Sequence, residues 1–277
     1  PFIARMGEGL RQPKDPRLGA DIAGRVEAVG ASVTEFRPGH EVFGAVGAGG
    51  FAEYVCTREK NLALKPGNIS FESAAAAPVV GYTALQGFRH AGGIRAGQKV
   101  LINGAAGGIG TFAVQYAKSC GAEVTGVCST RNLELVRSIG ADHVIDYTRE
   151  DFTRTGKQYD LIYCAIGNRT VFDYRRTLKP QGICVIAGFT SLPLLFGNMI
   201  LGPLVSKRGD KIVDGMGMSN ANKEDLLLIK ELLETGKVVP FIERCYTLNK
   251  TAEAIRYLET LHARGKVIIN VEPTASS

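Results

Sequence analysis

A glycine-rich turn between an apolar strand and an amphipathic helix constrains the fold of this chain more than any other feature. The turn begins at Asn103, directly after an apolar run, and leads into a stretch whose apolar side chains recur at helical spacing. At such a junction, small residues let the backbone approach a pyrophosphate closely, and the positive helix end holds its charge. We therefore expect a dinucleotide to bind at Ala105, Ala106, Gly107, Gly108, Ile109 and Gly110.

A glycine-rich turn also occurs in α/β domains without a ligand, so the elements around it determine whether it indicates dinucleotide binding. After residue 97 the chain alternates between apolar strands and helices, a pattern that predicts a parallel sheet covered on both faces. We interpret this region as α/β, with a doubly wound parallel sheet of the Rossmann type. The predicted strands are residues 100–103, 123–128, 143–147, 161–164 and 183–187.

The regions on either side show other patterns. Residues 20–56 alternate short apolar strands with turns, which predicts a small all-β unit. Residues 71–85 are rich in alanine and helical in character, with an interruption at Pro78. The C-terminal part predicts two further helices and two further strands, at residues 223–234, 251–262, 239–246 and 267–271.

Residues 182–205 contain no charged side chain and are long enough to span a bilayer as a helix. Several helix-breaking residues argue against that interpretation: Gly188, Pro193, Gly197, Gly202 and Pro203. We expect instead a buried strand, an apolar loop and a short helix, without a membrane span. The segment then forms an apolar lid beside a binding site, or a subunit contact.

The end of the second predicted strand indicates which dinucleotide binds. An NAD enzyme usually places an acidic residue there to bind the ribose hydroxyls, but this chain continues from Cys128 with Ser129, Thr130 and Arg131. Ser129 can donate a hydrogen bond to a 2′-phosphate and Arg131 can neutralise it, which favours NADPH over NADH. The alternative for Arg131 is a solvated residue at the start of a helix.

Composition sets the remaining bounds. With 277 residues, of which 45% are hydrophobic and 22% charged, the chain has the balance of a soluble globular protein with room for two domains. Its net charge of +6 suits an anionic cofactor. The sequence has no run of basic residues of the kind that binds nucleic acid, so we expect no nucleic-acid partner. The six cysteines are scattered, so we expect reduced thiols and a cytoplasmic protein. We interpret the start at Pro1, without a methionine, as a truncated or processed end.

Five stretches of the chain carry distinctive motifs: residues 18–24, 81–85, 105–110, 140–147 and 262–267. Together they resemble the medium-chain dehydrogenase/reductase superfamily. The resemblance is to its zinc-free quinone oxidoreductase branch, which is related to zeta-crystallin and to the enoyl and alkenal reductases, and it covers nearly the whole chain. It implies an NADPH-dependent oxidoreductase that transfers hydride to an electron-poor acceptor without a metal.

The resemblance also implies a domain organisation. A mainly-β, GroES-like catalytic domain is expected from both chain ends, residues 1–78 and 216–277, around a Rossmann domain at residues 79–215. Family members have further strands before the position of Pro1, so the resemblance implies an N-terminally truncated member. It further implies a homodimer joined through the sheet edges of the nucleotide-binding domains.

Roles for individual residues follow from the same resemblance. Thr83 is expected to contact the nicotinamide carboxamide, and Tyr147 to lie against the adenosine and its 2′-phosphate. Gly188 and Phe189 are expected to border the nicotinamide. The family's cofactor-closing segment corresponds to Arg264, Gly265 and Lys266.

Departures from the zinc-dependent relatives are equally informative. Those relatives carry Gly-His-Glu where this chain has Gly19, Ala20 and Asp21, and they have a four-cysteine lobe that this chain lacks. The remaining candidate ligands show no metal-site spacing, so no zinc is expected: His40, Cys56, His90 and His262.

The sequence leaves the catalytic residues and the acceptor open. Tyr82 is a candidate proton donor, with a core tyrosine as the alternative. The leading hypothesis is an NADPH-dependent quinone or alkenal reductase. An enoyl-thioester reductase and a non-catalytic NADPH-binding protein remain as alternatives.

Overall fold

The first sheet of the protein is small and antiparallel. A computed structural model describes residues 15–206 and 210–271. The strands β1 (Asp21–Arg25), β2 (Glu41–Ala45) and β3 (Leu62–Leu64) lie in the order β1-β2-β3. An all-β unit was expected here, but residues 51–56 are not a strand. The Phe51 N–H donates to the Leu18 carbonyl, which holds this segment in a turn.

Two helices connect this sheet to the rest of the chain. Helix α1 (Phe71–Ala75) begins after Ser70, whose hydroxyl accepts the Ser73 N–H at 3.2 Å. Helix α2 (Pro78–His90) begins at the proline, which is tolerated in a first turn because the amide there has no intrahelical acceptor. The interruption predicted at Pro78 is therefore the boundary between two helices.

A six-stranded sheet forms the centre of the molecule. Its strands are β4 (Lys99–Asn103), β5 (Glu123–Cys128), β6 (His143–Asp146), β7 (Tyr159–Cys164), β8 (Leu178–Ile186) and β9 (Ile212–Gly215). All neighbours are parallel, in the order β6-β5-β4-β7-β8-β9. This is the doubly wound arrangement predicted, with the reversal of strand order between β4 and β7. The edge strand β9 was not predicted.

Helices cover both faces of this sheet. They are α3 (Gly108–Ser119), α4 (Leu133–Ser138), α5 (Val171–Thr177), α6 (Leu192–Ser206) and α7 (Lys223–Glu234). Successive strand residues enter opposite clusters: Leu161 packs in the core with α2, α3 and α7, and Ile162 in the core with α5. Burial on both faces explains why these strands are continuously apolar.

The described chain ends in a β-α-β unit. Strand β10 (Ile242–Thr247), helix α8 (Thr251–Glu259) and strand β11 (Lys266–Asn270) follow in sequence, and the two strands pair in parallel. Both strands were expected, within a few residues of these bounds. Residues 272–277, like residues 1–14 and 207–209, lie outside the described part of the chain.

A loop followed by a short helix was expected after β8, but the structure has one long helix, α6. This helix continues through Gly197, Gly202 and Pro203. Gly202 lies against β9, where a Cβ would come within 2.7 Å of the Val213 carbonyl oxygen. The outward face of α6 is apolar and exposed at Leu192, Phe196, Met199, Ile200, Leu201 and Leu204. Among the described helices, none has the length and apolar character needed to span a membrane.

The first turn of α3 generates a stability prediction. A Cβ added to Gly110 would lie 2.0 Å from the Gly104 carbonyl oxygen. We expect Gly110→Ala to lower the free energy of unfolding by about 1–3 kcal/mol, because overpacking forces backbone shifts. Urea denaturation measures the change.

Gly197→Ala is the matched control, since Gly197 is also helical but has open space around its Cβ position. The control should be neutral, or stabilising by up to about 1 kcal/mol through helix propensity. Equal unfolding free energies for the two variants would contradict the packing argument.

Candidate dinucleotide-binding site

The glycine-rich turn lies at the carboxyl end of β4, next to the point where the strand order reverses. Gly104 has a φ of +86°, and the N–H of Ala105 donates to the Val127 carbonyl at 3.0 Å, which fixes the turn against β5. Helix α3 then begins at Gly108, so its first-turn amides have no intrahelical acceptors. Amides without intrahelical acceptors and a positive helix end at this edge suit an anionic pyrophosphate.

The predicted closing segment lies directly on this turn. The Gly265 N–H donates to the Ala106 carbonyl at 2.8 Å, and Gly265 forms a parallel bridge with Gly107. Gly265 has a φ of +55°, and a Cβ there would lie 2.1 Å from the Phe241 carbonyl oxygen. The structure thus brings together two motifs that are far apart in the sequence.

Arg264 and Lys266 are both held by carboxylates. The Arg264 N–H and Nε donate to Glu243 at 2.7 and 2.8 Å, and the Tyr257 hydroxyl donates to the same carboxylate. Burial opposes ionisation of Glu243, but these hydrogen bonds outweigh it and hold the pKa of that carboxyl below its ordinary value. Lys266 donates to Asp21 at 2.8 Å.

The ends of β5 and β6 lie side by side and carry the residues expected at the adenosine. The Tyr147 N–H donates to the Cys128 carbonyl at 3.1 Å, and the Tyr147 side chain is 54% exposed. The Ser129 hydroxyl accepts from the Asn132 amide at 3.1 Å. Arg131 is exposed and donates to the carbonyl of His262, next to the closing segment.

Asp146 holds these two strand ends together. Its carboxylate accepts from the Thr130 hydroxyl and from the N–H and hydroxyl of Thr148. The Thr130 hydrogen bond, followed by those of Thr148, lowers the pKa of Asp146. Asp146 therefore stabilises the two turns at which the adenosine is expected, and the sequence analysis did not assign it a role.

Gly188 and Phe189 follow β8 at the same carboxyl edge. A Cβ on Gly188 would lie 2.7 Å from the Ala165 carbonyl oxygen, and Phe189 pairs with Gly167 in a parallel bridge. Next to them, the buried Asn103 amide donates to the Ile166 carbonyl at 2.7 Å. Ile166 is 43% exposed and adds an apolar surface beside the turn.

Thr83 approaches this edge from α2. Its hydroxyl donates to the Val79 carbonyl at 2.7 Å and lies 3.1 Å from the hydroxyl of Ser219, which follows β9. Ser219 is a polar neighbour of the site that the sequence analysis missed. No local pattern marks it, because the contact joins residues 136 positions apart.

Tyr82 lies in the core rather than at the site edge. Its side chain is 2% exposed, and its buried hydroxyl has no hydrogen-bond partner among the described residues. Burial, with smaller contributions from Asp21 and Asp225, raises the pKa of this phenol. The position fits the core alternative for Tyr82.

These features fit a dinucleotide. Backbone packs closely at Gly104 and Gly110, unpaired amides stand at a helix N-terminus, and a tyrosine and an arginine are exposed at the neighbouring strand ends. Within residues 15–206 and 210–271, no three His, Cys, Asp or Glu side chains converge as metal ligands.

Two parts of this chain match known protein families. Residues 3–67 match the alcohol dehydrogenase GroES-like domain, and residues 139–269 match the zinc-binding dehydrogenase family. The two matched regions lie on either side of the glycine-rich turn.

Individual relatives are similar over nearly the whole chain. The 2-methylene-furan-3-one reductase of Solanum lycopersicum is 34% identical over 98% of this chain and 68% of its own length. The chloroplastic NADPH-dependent alkenal/one oxidoreductase of Arabidopsis thaliana is 34% identical over 97% of this chain and 68% of its own length. The solved quinone oxidoreductase from Coxiella burnetii superposes with a TM-score of 0.84 at 28% identity, over 98% of this chain and 84% of that one.

Proposed function

This chain belongs to the medium-chain dehydrogenase/reductase superfamily and fits its zinc-free quinone oxidoreductase branch, and we propose that it uses NADPH to reduce quinones or α,β-unsaturated carbonyls. The observation that carries the proposal is the glycine-rich turn with the closing segment bound on it, at the carboxyl edge of a doubly wound sheet. In such sheets the crevice at the reversal of strand order is where ligands bind.

The residues of this chain would bind and orient the two reactants. The amides of the first turn of α3 would hold the pyrophosphate, while Thr83 would orient the nicotinamide carboxamide. Gly188 and Phe189 would border the ring, and Ile166 and Phe189 would provide apolar surface that excludes water. When bound, NADPH supplies the hydride that, with one proton, reduces the acceptor. Since the Tyr82 hydroxyl is buried, we assign the proton to solvent.

The adenosine end supports NADPH over NADH as the preferred coenzyme. Ser129, Arg131 and Tyr147 lie at neighbouring strand ends, and the Asp146 carboxylate next to them is committed to Thr130 and Thr148. A 2′-phosphate would therefore meet a hydroxyl donor and a guanidinium rather than a free acid. To bind it, Arg131 would exchange the His262 carbonyl for the phosphate.

A homodimer is part of the proposal. Strand β9 is at one edge of the described six-stranded sheet, and the apolar face of α6 lies beside it, with Met199 and Ile200 about 60% exposed. Pairing of two such edges would cover both the free strand edge and the apolar face of α6.

Light scattering should give a molar mass of twice the chain mass of 29.6 kDa. Ile200→Asp should lower the measured mass toward that of one chain, because it places a charge in the proposed contact. A monomer before mutation would contradict the dimer.

The domain boundaries and the cellular compartment are also part of the proposal. We propose the GroES-like unit at residues 1–78 and 216–277, and the Rossmann unit at residues 79–215. We also propose the cytoplasm as the compartment, because all six cysteines are free thiols, which is typical of a reducing environment. The name of the Arabidopsis relative places that protein in the chloroplast, so imaging of the tagged protein is the test.

The acceptor is tested by NADPH consumption against naphthoquinone, a short alkenal, an enone and an enoyl-CoA. We expect the quinone, the alkenal or the enone to be reduced fastest, because Ile166 and Phe189 present an apolar surface at the described site edge. Much faster reduction of the enoyl-CoA would favour the enoyl-thioester reductase instead. Tight NADPH binding without turnover on any acceptor would favour a non-catalytic NADPH-binding protein.

The coenzyme preference is tested with Arg131→Glu. We expect NADPH binding to weaken by about 10- to 100-fold and NADH binding to change by less than about threefold, because only NADPH carries the 2′-phosphate. Fluorescence titration gives both dissociation constants. Arg95→Glu makes the same charge change in an exposed turn before β4, at the opposite edge of the sheet, and serves as the control. Equal losses of both coenzymes in Arg131→Glu would contradict the assignment.

A further inference from the structure

Asp21 joins three parts of the fold that are separate in sequence. One carboxylate oxygen accepts the Val79 N–H at the start of α2 at 2.8 Å, and the other accepts the Lys266 ammonium at 2.8 Å. Asp21 itself lies in β1 of the antiparallel sheet. Its side chain is 13% exposed and that of Lys266 is 20% exposed, so the pair is largely shielded from water.

The partner lysine lies against the candidate pyrophosphate site. A Cβ placed on Gly108, the first residue of α3, would lie 3.2 Å from Lys266 Cδ and 3.2 Å from the Gly265 carbonyl oxygen. The Lys266 side chain therefore crosses the first turn of α3, while the Gly265 N–H remains bonded to Ala106. Any movement of the Lys266 ammonium is thus coupled to the closing segment and to the turn beneath it.

We propose that Asp21 is a positioning residue for the dinucleotide, acting through Lys266. Its carboxylate holds the ammonium beside the helix N-terminus and keeps Gly265 in register with Gly107. The inference rests on the proposed coenzyme site and names a residue, outside both the glycine turn and the closing segment, that prepares that site for an anionic ligand.

The charge of Asp21 is what the role requires. A partly buried ammonium that loses its partner carries an uncompensated desolvation cost, so Lys266 would turn toward solvent and draw the closing segment with it. An asparagine at position 21 would still accept the Val79 N–H, but its amide has no charge to hold the ammonium. The two functions of the carboxylate can therefore be separated by one substitution.

Asp160 offers a matched control. It also accepts one backbone N–H, from Lys99, and one lysine ammonium, from Lys179, each at 2.8 Å. Its partners lie at the start of β4 and in β8, away from the glycine turn. If these aspartate–lysine pairs contributed only to stability, removing the charge of Asp21 or of Asp160 would have the same effect on coenzyme binding.

The experiment compares Asp21→Asn with Asp160→Asn in the intact chain, by fluorescence titration with NADPH and with NADH. We expect Asp21→Asn to raise both dissociation constants by about tenfold and by the same factor, since the two coenzymes share the pyrophosphate. The KM for NADPH should rise in parallel, while kcat at saturating NADPH stays within about threefold. Asp160→Asn should change neither constant by more than about twofold.

A double-mutant cycle with Lys266→Met tests whether the effect passes through the lysine. In that background, Asp21→Asn should add less than about twofold. A further tenfold loss of coenzyme affinity when Asp21→Asn is added to Lys266→Met would overturn the inference. Unchanged coenzyme binding in Asp21→Asn alone would also overturn it. If Asp21→Asn does not fold, Asp21→Ser, which keeps a hydroxyl acceptor and removes the charge, carries the same expectation.

The unsubstituted chain separates this inference from the proposed function. If it binds neither NADPH nor NADH, the coenzyme proposal fails before any variant is compared. If it binds NADPH and Asp21→Asn binds equally well, only the role of Asp21 fails.

Discussion

The close approach of helix α3 to the turn that precedes it is the constraint on which the rest of the structure depends. At Gly110 there is room for a hydrogen atom but not for a methyl group, because the Gly104 carbonyl lies where a Cβ would stand. This contact fixes the helix N-terminus at the carboxyl edge of β4, beside the reversal of strand order. The amides of the first helical turn therefore lie at the edge where doubly wound sheets bind ligands.

The two ends of the described chain converge on this point. Gly265 adds its backbone to the glycine-rich turn, and Lys266 reaches Asp21, which is 245 positions earlier in the sequence. The candidate site is thus assembled by long-range contacts around a locally determined turn. Dinucleotide binding there would depend on residues from both ends of the described chain, because Asp21 holds Lys266 of the closing segment.

Patterns that depend on local sequence were predicted well. The glycine turn, the buried parallel strands and helix α7 follow from spacing and from continuous apolar runs, and the structure has them at nearly the predicted bounds. Elements that depend on neighbours were missed. Strand β9 has only Val213 buried and becomes a strand through its pairing with β8. Helix α6 includes Gly202 at the point where it lies closely against β9. At the site, Ser219 and Glu243 act through contacts with residues distant in the sequence, which no local motif encodes.

We propose that this chain delivers hydride from NADPH directly to an electron-poor acceptor. Reduction of an enone with NADPH deuterated at the transferred position of the nicotinamide tests it most directly, with mass spectrometry of the product. We expect one deuterium at the β-carbon of the reduced enone and a solvent proton at the α-carbon. A reduced product without deuterium, or the absence of reduction with both enone and quinone acceptors, would contradict it.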